Sequence, residues 1–161
     1  MNSSAKHFLK RGATDEYCTP STIVAALGSF TLDPCASKHT HHADVNWTKK
    51  DNGLSRDWRG RVFLNPPYSY PLIEQFTEKF IVHGNGIALV LARTGTKWFQ
   101  KLAASSDAIF LLQGRIKFYK NCKPTTSPAM DSVFLAIGKY NVIKLQKLEM
   151  KGILFYGNSI K

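Results

Sequence analysis

The chain has 161 residues, 43% of them hydrophobic, which predicts one globular domain and excludes a largely disordered chain. Lys and Arg outnumber Asp and Glu 22 to 11, and the resulting formal charge of +11 favours a polyanionic partner over a merely soluble basic protein. No run approaches the roughly 18 apolar residues of a membrane helix. The first residues lack the apolar core of a signal peptide, and three widely spaced cysteines suggest reduced thiols, so a cytoplasmic protein is expected.

The chain begins with a polar, basic stretch, residues 1–13, that we expect to be a flexible arm ahead of a single domain over residues 14–161. Thr19 and Pro20 are typical of the N-cap and first position of a helix over residues 21–27.

Further along the chain, apolar runs and helical periodicity predict the remaining elements. Strands are expected over residues 30–32, 61–64, 86–92, 108–112, 116–119 and 132–137, and helices over 71–83 and 96–105. The tail, residues 142–156, fits either short strands or a helix. Strands that alternate with helices predict an α/β sandwich with a mainly parallel sheet.

The predicted strand 61–64 runs directly into Asn65-Pro66-Pro67-Tyr68. Two prolines fix the backbone and remove donors, so this turn can present the Asn65 side-chain oxygen and the Pro66 carbonyl as rigid acceptors. Two such acceptors could hold a planar NH2 group and turn its lone pair toward an incoming methyl group, while Tyr68 lies against a captured base. The alternative is an ordinary proline-rich loop.

Three segments carry a resemblance to a known family. They are Asp15-Glu16-Tyr17-Cys18-Thr19-Pro20, Leu32-Asp33-Pro34-Cys35-Ala36-Ser37, and the stretch from Asp51-Asn52-Gly53-Leu54 to Asn65-Pro66-Pro67-Tyr68-Ser69. Together they resemble the phage-type DNA N6-adenine methyltransferases, a compact Dam-like family, over residues 14–138. The resemblance implies a Rossmann-like methyltransferase fold in a compact single domain, with helices on both faces of the sheet and S-adenosylmethionine as cofactor.

The resemblance also implies where the amino-acid end of the cofactor binds. Tyr17, Thr19 and Pro20 match the element that holds the methionine end. Asp33 matches the acid that serves as counter-charge to the cofactor's α-ammonium group, at a strand end where α/β folds bind ligands.

Further cofactor contacts are expected in the loops that follow. Pro34 and Ser37 fill the loop beneath Asp33 in the family pattern, although no Gly-x-Gly follows. Asp51 matches the acid that contacts the adenine amine of the cofactor, or else it is a solvated loop residue. Asp44 is a candidate for the ribose hydroxyls.

The predicted DNA-binding residues follow two later strands. Arg93, Lys97 and Trp98 come after the strand that succeeds the Asn-Pro-Pro-Tyr turn, where a cation on phosphate and an aromatic ring on a displaced base would suit DNA. The alternative is that Trp98 belongs to the core. Arg115 and Lys117 give a second basic patch suited to phosphates.

Cys35, His39, His41 and His42 match no usual zinc spacing, so no metal site is predicted, and His41 and His42 are expected to lie near the cofactor or DNA.

The predicted activity is methylation of the N6 amino group of adenine, flipped out of double-stranded DNA, with Asn65, Pro66, Pro67 and Tyr68 as the catalytic turn. Methylation of RNA adenine or a protein glutamine, or a catalytically lapsed DNA-binding protein, are the alternatives.

Overall fold

The computed structural model describes residues 17–120, 123–124 and 130–157, so the predicted arm at residues 1–13 lies outside the described residues. The helices of the described part are α1 (Ser21–Ala26), α2 (Leu72–His83), α3 (Lys97–Ala104) and α4 (Lys139–Gln146). Its strands are β1 (Tyr17–Cys18), β2 (Leu32–Asp33), β3 (Val45–Asn46), β4 (Val62–Leu64), β5 (Gly86–Leu91), β6 (Ala108–Leu112), β7 (Tyr119–Lys120), β8 (Lys123–Pro124), β9 (Ser132–Ile137) and β10 (Gly152–Tyr156). Within the described ranges no helix is long and apolar enough to cross a membrane.

Seven of the described strands form one sheet in the order β10-β6-β9-β5-β4-β2-β3, and β1, β7 and β8 form a small second sheet. The expectation of a mainly parallel sheet is not confirmed, because the main sheet is mixed: among its described strands, three pairings are parallel and three antiparallel. β3, β2, β4, β5 and β6 all run in one direction. The reversed strand β9 is inserted between β5 and β6, which converts two pairings to antiparallel, and β10 adds a third at the edge.

Strand alternation divides the core into two layers, one on each face of the sheet. Phe63 of β4 points into the layer that contains α1 and α4, whereas its neighbours Val62 and Leu64 point into the layer that contains α2 and α3. The same period of two runs along β5 and β9, both almost fully buried. Helices therefore cover both faces of a single α/β domain, as expected.

The chain changes direction across the sheet at β2. After β2 it continues to β3 on one side and then crosses back to β4 on the other side, and all three strands are parallel. In open α/β sheets such a switch creates a crevice at the carboxyl ends of the strands. Asp33 ends β2 and Asn65 directly follows β4, so both lie at this crevice.

Two predicted elements differ from the structure. Residues 116–118 form no strand, although Ile116 and Phe118 are buried and alternate with exposed Lys117; the two apolar side chains pack on one core layer. The ambiguous tail contains both a helix, α4, and a strand, β10.

At the opposite, amino-terminal edge of the sheet, Arg61 joins the two core-covering helices α1 and α4. Its guanidinium donates to the carbonyls of Leu27 (2.9 Å) and Ser29 (2.7 Å) and to the side chain of Asn141 in α4. It also stacks over Phe30, 3.9 Å from the ring centre, and is only 8% exposed. Arg61 is therefore a buried structural cation.

Candidate functional site

The Asn65-Pro66-Pro67-Tyr68 turn lies at the carboxyl edge of the sheet, between the ends of β2 and β5. The Nδ2 group of Asn65 donates to the Oγ1 of Thr19, 3.2 Å away. Among the described residues, no donor contacts the Oδ1 of Asn65 or the carbonyl of buried Pro66. The turn therefore offers both predicted acceptor oxygens to a ligand.

Tyr68 is held in place by its hydroxyl. The backbone N–H of Leu91, the last residue of β5, donates to that oxygen at 2.9 Å. Burial raises the pKa of the Tyr68 phenol well above its usual range, so the group stays neutral. The ring spans from the turn after β4 to the end of β5, which fixes the side of the crevice on which a planar ligand would stack.

Asp33 is a buried carboxyl group in the crevice. It is 3% exposed, and burial raises its pKa to about 7 despite a hydrogen bond of 3.0 Å that the Cys35 N–H donates to Oδ1. Within the described part of the chain no cation pairs with it. Because a buried carboxylate is stable only with a partner, this position suits a ligand that brings a positive charge.

The segment from β1 to α1 bridges the two halves of the crevice. The thiol of Cys18 contacts the hydroxyl of Ser37 at 3.0 Å, which attaches the segment to the loop after β2. Thr19, 3% exposed, attaches it to Asn65. The N-cap of α1 is Pro20, so the assignment of Thr19 as N-cap is wrong by one residue, because its side chain is directed to the turn. The side chain of Tyr17 lies outside the described residues.

His42 is a neighbour of this segment that the sequence identified only loosely. Burial lowers the pKa of its imidazole, and a hydrogen bond with the Thr19 backbone partly opposes that shift. The ring meets Phe63 edge-on at 5.7 Å. Its Nε2 atom is buried and has no partner among the described residues. A ring whose lowered pKa favours the neutral form thus packs between Thr19 and Phe63 with a buried nitrogen, and the histidine-rich loop was its signal in the sequence.

Asp51 lies in a loop that packs against Pro34. A Cβ on Gly53 would stand 2.4 Å from the Pro34 carbonyl, so only glycine permits this approach. The carboxylate of Asp51 accepts two hydrogen bonds of 2.8 Å from Thr48, which lower its pKa, and its other oxygen is 3.8 Å from Arg56. Asp51 therefore caps its own 3-10 turn close to the crevice.

Asp44 does not share this position. It precedes β3, and its N–H bonds to Phe30, so it lies toward the amino end of β2. The register puts Asn46 beside Asp33 instead, which disfavours Asp44 as the ribose contact.

The predicted DNA-binding residues divide into two groups. Arg93 and Lys97 are exposed beyond the end of β5, close to the residue that holds Tyr68. Trp98 is 7% exposed and packs edge-on against Phe99 in the core. Its burial in the core layer of α2 and α3 supports the alternative that Trp98 is a core residue, and disfavours the prediction that it stacks on DNA.

Arg115 and Lys117 are also exposed, and the structure brings them near the first group. The carboxylate of Asp131 pairs with Arg115 at 3.0 Å, while its backbone carbonyl accepts from the N–H of Ala92, next to Arg93. An ion pair so exposed contributes at most about 1 kcal/mol. The two predicted basic patches are therefore connected through Asp131, and we refer to Arg93, Lys97, Arg115 and Lys117 together as the rim.

A cleft of about 300 Å³ opens between α1 and the segment after β6. It is lined by Pro20, Ile23, Arg115, Lys117 and Tyr119, among others. One predicted cofactor residue and two predicted DNA-binding residues thus share a single cavity wall. Among the described residues no cluster of three or more His, Cys, Asp or Glu side chains could hold a metal ion.

Comparison with protein-family models and with curated proteins gives the following result. No curated protein is similar to the chain. The family model for DNA N-6-adenine-methyltransferase (Dam) matches residues 6–139, which is most of the chain and includes the turn, Asp33 and the bridging segment. The crevice described above, with its acceptor turn and its buried carboxyl, is consistent with that match, and the chain belongs to the DNA N-6-adenine-methyltransferase (Dam) family.

Proposed function

We propose that this protein transfers a methyl group from S-adenosylmethionine to the N6 amino group of adenine in DNA, on a Rossmann-like methyltransferase fold. The observation that carries the proposal is the Asn65-Pro66-Pro67-Tyr68 turn at the switch-point crevice, in which no described residue donates to the acceptor oxygens of Asn65 and Pro66. Family membership supports DNA adenine methyltransferase activity. The charge of +11 supports a nucleic-acid substrate.

The residues of the crevice fit S-adenosylmethionine. Asp33 is a buried carboxyl group without a cation among the described residues, and the α-ammonium group of the cofactor would provide one. Pro34 and Ser37 lie in the loop that follows Asp33, Ser37 contacts the segment that leads to Pro20, and the loop of Asp51 packs against Pro34. When bound, the cofactor supplies an activated methyl group on a sulfonium centre.

The chain's own contribution is positioning and polarisation. The Oδ1 of Asn65 and the Pro66 carbonyl accept the two N–H bonds of the adenine amine, which localises the nitrogen lone pair. Tyr68, fixed through Leu91, stacks on the flipped base. Pro67 keeps the turn rigid. Arg93, Lys97, Arg115 and Lys117 contact phosphates around the crevice and hold the duplex while the base is out.

The direct test is transfer of tritium from labelled S-adenosylmethionine to duplex DNA, RNA and protein in parallel. We expect label in DNA only, recovered after digestion as N6-methyladenine. N4-methylcytosine, or label in RNA or in protein glutamine, would assign a different substrate to the same turn. Binding of DNA without any transfer would indicate a lapsed enzyme.

Replacement of the acceptor amide tests the residue roles. Asn65→Ala should lower transfer by at least about 100-fold, the scale seen when one polarising group is removed, while cofactor affinity and melting temperature change little. Asn85→Ala is the matched control, since Asn85 lies at the opposite edge of the sheet, where it contacts Gly60 and Asn141. An Asn65→Ala variant with wild-type transfer would exclude the proposed mechanism.

A further inference from the structure

We propose that Thr19 is a positioning residue for the catalytic amide: its hydroxyl holds the Asn65 side chain in place, so that the amide oxygen stays at hand for the substrate amine. This inference rests on the proposed function. The family resemblance assigned Thr19 to the cofactor, but its side chain contacts the acceptor turn, 3.2 Å from the Nδ2 of Asn65.

The two orientations of a side-chain amide differ in their hydrogen-bonding chemistry. The two ends of Asn65 have nearly the same shape, but one donates hydrogen bonds and the other accepts them. An amine substrate needs the acceptor end. In the structure the Nδ2 of Asn65 donates to Thr19, and no described residue donates to the Oδ1. The Thr19 hydroxyl anchors the amide, and the N–H groups of the substrate amine then favour the free oxygen. With the amide turned over, two donors would face the donors of the substrate.

Thr19 is itself held firmly enough to act as this reference point. It is 3% exposed, and the preceding residue, Cys18, is fixed by its contact with Ser37 and by pairing of β1 with β7. The Thr19 backbone also interacts with the ring of His42. The backbone that carries the Thr19 hydroxyl is therefore anchored on both sides of the crevice.

Substitution by valine tests the hydroxyl with little change of volume. We expect Thr19→Val to lower kcat by about 10- to 100-fold at saturating cofactor, because the amide loses the hydrogen bond that anchors it and with it its preorganisation. Cofactor affinity should stay within about twofold, since the hydroxyl bonds to the turn. Thr19→Ser keeps the hydroxyl and should restore kcat to within about threefold of wild type.

Thr77→Val is the matched control, because Thr77 is another buried threonine, and its hydroxyl bonds only to helix carbonyls of α2. Its kcat should equal that of wild type. Two results would overturn the proposal: an unchanged kcat in Thr19→Val, or a loss confined to cofactor affinity that saturating cofactor removes. An inactive wild-type protein would instead reject the proposed function itself, so the two failures are distinguishable.

Discussion

Ionisation of Asp33 should make cofactor binding depend on pH. Burial raises the pKa of this carboxyl from 3.8 to about 7 in the free protein. If its role is to hold the α-ammonium group of S-adenosylmethionine, only the ionised form binds well. Affinity should therefore be weak below pH 7, increase through pH 7, and level off above it, as long as the ligand amine stays protonated.

The size of the effect follows from the fraction of protein that is ionised. With a pKa of about 7, roughly one molecule in ten is ionised at pH 6 and roughly nine in ten at pH 8. The apparent affinity scales with that fraction, so it should differ by about tenfold between these two values. Titration calorimetry with S-adenosylhomocysteine, which carries the same amino-acid end, measures it directly.

Asp33→Asn removes the ionisation and provides the internal comparison. The variant should bind more weakly than wild type at pH 8, and its profile between pH 6 and 8 should show only the titration of the ligand and of nearby histidines. Asp57→Asn, at an exposed aspartate, should behave as wild type. A wild-type profile that is flat, or that matches Asp33→Asn, would refute the assigned role of Asp33.

The raised pKa of Asp33 also makes the stability of the free protein depend on pH. Stability falls as pH rises, whereas cofactor affinity increases. The unfolded chain loses the Asp33 proton near pH 4 and the folded chain near pH 7, so stability falls across this interval by up to about 4 kcal/mol and is constant above it. Asp33→Asn should consequently melt at least about 4 °C above wild type at pH 8, with a smaller difference at pH 5. An Asp33→Asn variant that is more stable than wild type but binds the cofactor more weakly would identify the Asp33 carboxylate as a functional charge.

Two further predictions concern the frame and the rim of the site. Arg61→Met should lower the free energy of unfolding by about 3–5 kcal/mol, because three acceptors at the α1–α4 junction lose a charged donor. Urea denaturation measures this loss, and a value below about 1 kcal/mol would contradict the structural role of Arg61. Arg93→Ala and Lys97→Ala should each reduce the slope of log DNA affinity against log salt concentration by about 1. Trp98→Phe, at a buried residue, should leave that slope unchanged. Equal slopes for all three variants would exclude the rim as a phosphate contact.

The sequence predicted the parts of the fold that local pattern determines. Continuous apolar runs identified β5 and β9, and helical spacing identified α2 and α3 to within one or two residues. Direction within the sheet could not be read in this way, since a buried strand has the same composition whether its neighbours are parallel or antiparallel. The reversed insertion of β9 is a property of topology alone.

The site residues also divide into those that local sequence pattern identifies and those that depend on the tertiary fold. The acceptor turn and Asp33 were identifiable because each sits at a strand end with a distinctive composition. The contact between Thr19 and Asn65 joins residues 46 positions apart, and no spacing rule reports it. For Trp98 the sequence left two alternatives, a DNA contact or a core residue, and its place on the buried face of α3 with Phe99 and Leu102 favours the core.

The position of β9 has a consequence for synthesis of the chain on the ribosome. β5 and β6 are translated well before residues 132–137, and both lack a pairing partner on one edge until β9 is inserted between them. During that interval both strands carry apolar, unpaired edges, the kind of surface that drives aggregation. Closure of the sheet must therefore wait until β9 has left the exit tunnel, and chains terminated before it are expected to be substrates for chaperones and proteases.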